Sequence, residues 1–217
     1  MGIIRMLMLA SGLTLPVWAT AADAQRIVTQ GAAGTQACAT CHGKDGAGQA
    51  QSGFPRLAGL NVAYLEKQLR DFKTGRRDNP VMAPVAKGLN EAQIKAVARY
   101  FAAQRPPTPK VDVDPDTARR GEKLARSGEW DKDIPACFRC HGENGAGVPP
   151  HFPPIAGQHR RYLEAQLTAW KQGRRGNDPL DLMQTIAGRM SADEIEAVAA
   201  YLSTHPADST HTGLAER

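Results

Sequence analysis

Apolar residues recur at helical spacing along most of the chain. Between residues 63 and 72, Tyr64, Leu65, Gln68, Leu69 and Phe72 share one face, which predicts an amphipathic helix. A later run, Ile94, Val97, Ala98 and Phe101, follows Asn90 and Gln93, which are spaced as in a capping box. Ile195, Val198, Ala199 and Leu202 repeat that run behind Ser191 and Glu194. Residues 117–126 read as another short helix, with a weaker counterpart around residues 24–30. No stretch alternates with period two, so the pattern predicts an all-α protein.

The pattern also occurs twice. Phe54-Pro55-Arg56-Leu57-Ala58-Gly59 returns as Phe152-Pro153-Pro154-Ile155-Ala156-Gly157, 98 residues on. Tyr64-Leu65, Gln68-Leu69 and Gly75-Arg76-Arg77 return at the same offset as Tyr162-Leu163, Gln166-Leu167 and Gly173-Arg174-Arg175. After an insertion near Asp178, Met82 aligns with Met183, Leu89 with Met190 and Tyr100 with Tyr201. Two tandem domains are expected, at 22–105 and 116–205, followed by a tail at 206–217. Four prolines (Pro106, Pro107, Pro109, Pro115) fall at the joint. Proline fixes φ and lacks an amide hydrogen, so residues 106–115 should form an extended, stiff linker.

Residues 1–21 break the pattern. Arg5, an apolar run from Met6 to Val17 and the small residues around Ala22-Asp23-Ala24 describe a secretory signal peptide. The run is short for a bilayer span, which needs about 20 apolar residues. Cleavage after Ala24 would cut into the first helix, which favours Ala19 or Ala21.

Export would ordinarily turn four cysteines into two disulfides. Here they stand as Cys38-Ala39-Thr40-Cys41-His42 and Cys137-Phe138-Arg139-Cys140-His141. C-x-x-C-H is the attachment signal for c-type haem. The cysteines form thioethers with the porphyrin, and His42 or His141 becomes the proximal ligand of the iron. A single motif could be a zinc half-site or a redox dithiol, but two at matching places in a duplicated exported chain point to two covalently bound haem c groups. Such a body also gives a small domain something to pack on, with Phe54, Leu57, Tyr64 and Leu65 and their counterparts as walls.

The distal ligand decides what the iron can do. Methionine opposite histidine saturates the iron and raises its potential, whereas an open position invites oxygen or peroxide chemistry. Behind the leader only Met82, Met183 and Met190 remain. Met82 is the sole methionine of the first domain, and the repeat selects Met183 in the second. Met190 aligns with Leu89 and reads as core. His151 and His159 align with Gly53 and Asn61 and read as surface residues, as do His205 and His211 in the tail.

With these residues placed, the chain resembles the di-haem cytochrome c4 family over about residues 25–205. The resemblance implies two class I cytochrome c folds related by a pseudo-twofold axis, with haem edges and propionates close across the interface. It implies Pro55 and Pro153 beside the proximal imidazoles, each offering a backbone carbonyl. It implies an electron carrier rather than an enzyme: periplasmic, at times peripherally membrane-associated, with no small-molecule substrate, working between a quinol-oxidising complex and a terminal oxidase. The insertion at residues 176–182 departs from the pattern, and Asp181 is expected near the distal sulfur.

The formal charge is +5, unevenly spread: 12 Lys/Arg against 6 Asp/Glu at residues 22–105, and 14 against 16 from residue 106 onward. A basic first domain would steer association with an acidic partner surface. A pI near 9.2 raises nucleic-acid binding, but export and the lack of a dense basic stretch argue against it. Two further roles stay open: the cytochrome subunit of a periplasmic dehydrogenase, such as a flavocytochrome sulfide dehydrogenase, and a haem enzyme of the peroxidase or thiosulfate-oxidising kind.

Overall fold

The computed structural model describes residues 21–206. The leader, apart from Ala21, and the tail beyond Pro206 lie outside them, as does His211. Ten helices follow in two sets of five: α1 (Ala21–Gln30), α2 (Ala39–His42), α3 (Val62–Thr74), α4 (Met82–Lys87) and α5 (Glu91–Ala102), then α6 (Pro115–Ser127), α7 (Cys137–His141), α8 (Arg160–Lys171), α9 (Leu182–Arg189) and α10 (Ala192–Thr204). Among the described residues pairing of the β type is limited to isolated bridges such as Gln49 with Phe54 and Val148 with Phe152. Residues 105–114 have no regular structure, and Pro115 opens α6.

Local chemistry fixes the helix ends. Both capping boxes form: Asn90 and Ser191 accept from the N–H groups of Gln93 and Glu194, whose side chains bond back to the cap N–H. Asp114 caps α6, with Pro115 at the first helical position, where its missing N–H leaves no gap. Asn61 caps α3 at the front, and Gly75 closes it in the left-handed conformation.

In each domain the first helix packs on the last. Ile27, Val28, Ile94, Val97 and Phe101 form one core, and Leu124, Ala125, Ile195, Val198 and Leu202 the other. The crossing in the second domain is close enough to require glycine: a Cβ on Gly121 would lie 2.1 Å from the Ala197 carbonyl oxygen. Ala24, the counterpart of Gly121, is buried in the first domain. α2 and α7, which carry the C-x-x-C-H histidines, pack on the first helices α1 and α6, and α3 with α4 and α8 with α9 complete each domain.

Candidate haem sites

In each copy the C-x-x-C-H residues lie on a single helical turn. His42 N–H donates to the Cys38 carbonyl at 2.9 Å, so the cysteines and histidine stay in register. None of the four cysteines is in a disulfide. Burial pushes the thiols of Cys38 and Cys137 up to about 11.

The histidines are buried and fixed. His42 Nδ1 lies 3.0 Å from the Pro55 carbonyl oxygen, and His141 Nδ1 lies 2.8 Å from that of Pro153. A carbonyl only accepts, so Nδ1 carries the proton and Nε2 keeps its lone pair for a metal. Burial pushes both imidazoles below their ordinary pKa, against the smaller effect of the proline carbonyls. Phe54 and Phe152 sit edge-on to the rings, with centroids 6.4 and 6.0 Å away.

Met82 opens α4, and Met183 is the second residue of α9. Asn79 Oδ1 accepts from the N–H groups of Val81 (3.0 Å) and Met82 (2.9 Å). Asp178 Oδ2 accepts from Met183 at 2.7 Å and Gln184 at 3.3 Å, while its Oδ1 accepts from the Trp170 indole at 2.7 Å. Asp181 precedes Met183 by two residues at the start of α9. It is exposed and adopts a left-handed conformation in the 3-10 turn of the insertion, and Asp178 engages the methionine backbone.

All eight residues line one cavity of about 910 Å³ that runs through both domains, with Leu57, Tyr64, Leu65, Ile155, Tyr162 and Leu163 among its walls. Its polar end lies at the domain interface. Arg77 donates to Gln68 in its own domain and, across the interface, to Gln166 at 2.7 Å and Tyr162 at 3.0 Å. Arg175 donates to Gln166 at 2.7 Å and, more distantly, to Gln68 at 3.4 Å. Both guanidiniums are buried, and among the described residues neither forms a salt bridge to a carboxylate. Burial and the nearby Arg77 cation push the Arg175 pKa down. Buried cations call for anions.

The site therefore fits haem c at both places. It offers paired thiols, a neutral imidazole with a free Nε2, methionine sulfurs, apolar sides, and buried arginines that acidic substituents would pair with. Sequence reasoning noted the Gly-Arg-Arg and Gln-Leu repeats without giving them a role. The available signal was the recurrence of Gln68 and Gln166 within otherwise apolar faces of α3 and α8, and of Arg77 and Arg175 just beyond the ends of those helices.

The other histidines need correction. His159 is half-buried at the interface, its Nε2–H donating to the Ala47 carbonyl at 2.9 Å, so it is not a surface residue. His205 is half-buried too, packed on Tyr201 with ring centroids 4.4 Å apart. Met190 is buried in the second core, as its alignment with Leu89 suggests.

A family model for cytochrome c matches residues 22–104 and again 118–206. The chain is 48% identical to a thiosulfate dehydrogenase electron acceptor of Stutzerimonas stutzeri A1501, over 89% of this chain and 91% of that protein. Its fold matches reduced cytochrome c4 from Pseudomonas stutzeri with a TM-score of 0.77 and 34% identity, covering 86% of this chain and 98% of that one. It also matches a thiosulfate dehydrogenase structure from Marichromatium purpuratum with a TM-score of 0.79 and 45% identity, over 87% of this chain. That chain is much longer, and the present one spans 41% of it. The chain belongs to the cytochrome c family, as a di-haem member of the cytochrome c4 type. It carries two covalently bound haem c groups, one on each C-x-x-C-H motif, and its chemistry is electron transfer.

Proposed function

We propose that this protein is a periplasmic electron acceptor for a thiosulfate-oxidising dehydrogenase, passing the electrons on toward a terminal oxidase. The 48% identity to a thiosulfate dehydrogenase electron acceptor, extending over 91% of that relative, carries the reading. The Marichromatium structure supports it, since there a similar unit forms part of a longer thiosulfate dehydrogenase chain. On this reading the donor is a dehydrogenase rather than a quinol-oxidising complex, and this chain supplies the cytochrome part.

Cys38, Cys41, Cys137 and Cys140 would attach the two haems, and His42 with Met82, and His141 with Met183, would ligate their irons. The haem domains are 22–105 and 116–205, joined by 106–115, behind a leader at 1–21. Haem supplies a one-electron iron couple when bound, with a potential raised by His/Met ligation. The protein holds the imidazoles by Pro55 and Pro153, positions the sulfurs through Asn79 and Asp178, and shuts out water with Phe54, Leu57, Phe152 and Ile155. Ligated by histidine and methionine, each iron would exchange electrons and leave no position for a substrate. Among the described residues no helix is long and apolar enough to cross a membrane.

Stopped-flow mixing with a thiosulfate dehydrogenase and thiosulfate tests the donor. Saturable reduction of both haems, faster than by a quinol-oxidising complex, is expected. Reduction by the quinol-oxidising complex alone would overturn the assignment.

A further inference from the structure

Arg56 has no accessible surface at all and is the largest fully buried side chain among the described residues. It lies outside the wall of the haem cavity, and none of its partners is a carboxylate. Its Nη1 donates to the Ala58 carbonyl, its Nη2 to the Ala156 carbonyl at 2.9 Å, and its Nε to the Gly157 carbonyl at 3.2 Å. Its main chain is clasped as well: Arg56 N–H donates to Gln158 Oε1 at 2.9 Å, and Gln158 Nε2 donates to the Arg56 carbonyl at 3.0 Å.

Ala58 and Ala156 are equivalent in the repeat, each three residues after the proline whose carbonyl holds a histidine. A guanidinium bonded to both carbonyls therefore stands between the two halves. The repeat breaks where this arrangement is built, with Pro154 in the place of Arg56 and Leu60 in that of Gln158. The two domains thus share one cation.

We propose that Arg56 is a potential-setting residue shared by both haem sites, its fixed positive charge raising the two reduction potentials together. Reduction adds one electron to each site, and a nearby cation favours that state. Complete burial keeps water from screening the charge, so it acts more strongly than a surface cation. Burial pushes the Arg56 pKa down to about 10, which leaves it charged at neutral pH. Arg77 and Arg175 differ from it: they line the cavity, where acidic groups of the cofactor can neutralise them. Arg56 is closed off from such groups by carbonyls.

Spectroelectrochemical titration of the holoprotein carrying Arg56→Gln or Arg56→Lys tests this. Arg56→Gln should lower both midpoint potentials, each by about a threefold change in its reduction equilibrium, close to 30 mV for a one-electron couple. Arg56→Lys keeps the charge and should hold both potentials near wild type, even if it melts earlier through lost hydrogen bonds. Unchanged potentials in a folded Arg56→Gln variant would overturn the proposal. So would a fall confined to one haem, or an equal fall in both variants, which would mark lost packing rather than lost charge. Small-angle scattering on the same samples reports whether the domains have separated. A fall seen only in samples whose domains have come apart counts against a charge effect.

Discussion

Asp178 binds the backbone of Met183, its Oδ2 accepting the methionine N–H at 2.7 Å while its Oδ1 holds the Trp170 indole. The carboxylate thus ties the insertion to α8 and fixes where the sulfur enters. Asp178→Ala removes both anchors. It should cost about 0.5–2 kcal/mol, as loss of a helix cap does, and give the second haem a high-spin fraction. Asp178→Asn keeps one acceptor and should retain the low-spin spectrum. Magnetic circular dichroism and thermal melts check both. Equal spectra for wild type and Asp178→Ala would remove this role.

Gly121 is fixed by the crossing of α6 and α10. A methyl group there meets the Ala197 carbonyl at 2.1 Å and Tyr201 Cβ at 2.6 Å, and the backbone must move apart. Gly121→Ala should destabilise the second domain by about 3 kcal/mol, the upper part of the usual overpacking range, leaving the first largely intact. Two resolved transitions on heating are the expected signature.

His159 gives the interface a pH dependence. Burial, with the nearby Arg56 charge, holds its pKa below the ordinary value against the bond to the Ala47 carbonyl. In the unfolded chain it titrates near ~6.5. The unfolded state therefore binds more protons as the pH falls, so the stabilisation present above ~6.5 is lost as the pH drops toward the folded-state pKa. His159→Gln should flatten that part of the stability–pH curve. Denaturant midpoints between about pH 5 and 7.5 report it, and parallel curves for the two proteins would exclude it.

Much of this is legible in the sequence. Helical periodicity and the capping boxes gave the elements, and the 98-residue offset gave the duplication. Methionine is scarce behind the leader, and the repeat points to Met82 and Met183; both line the cavity, as does Met190. The interface was not legible. Arg77 meets Gln166, and Arg56 meets Gly157, across about a hundred residues of chain. Such contacts arise from docking two folded domains, which leaves no local periodicity. Arg56 and Gln158 were further hidden because the repeat does not preserve them. Asp178 was hidden for a related reason. Nearness in sequence to Met183 said nothing of the turn that points Asp181 outward and brings Asp178 under the methionine N–H.

Charge asymmetry bears on docking. Residues 22–105 carry 12 Lys/Arg against 6 Asp/Glu, so association through the first domain with an acidic partner should slow as salt rises. Exposed charges are screened beyond about 8 Å at physiological ionic strength. The second-order rate of reduction should therefore fall steadily between low and high salt. A flat profile would place the contact elsewhere.

Met82→Ala and Met183→Ala, made separately, bear most directly on the axial pairing. Each should abolish the sulfur-to-iron charge-transfer absorption of its own haem and lower that haem's potential, leaving the other unaltered. Optical titration of the two purified holoproteins reads both quantities at once. A variant that keeps both the absorption and the potential would contradict His/Met closure at that iron.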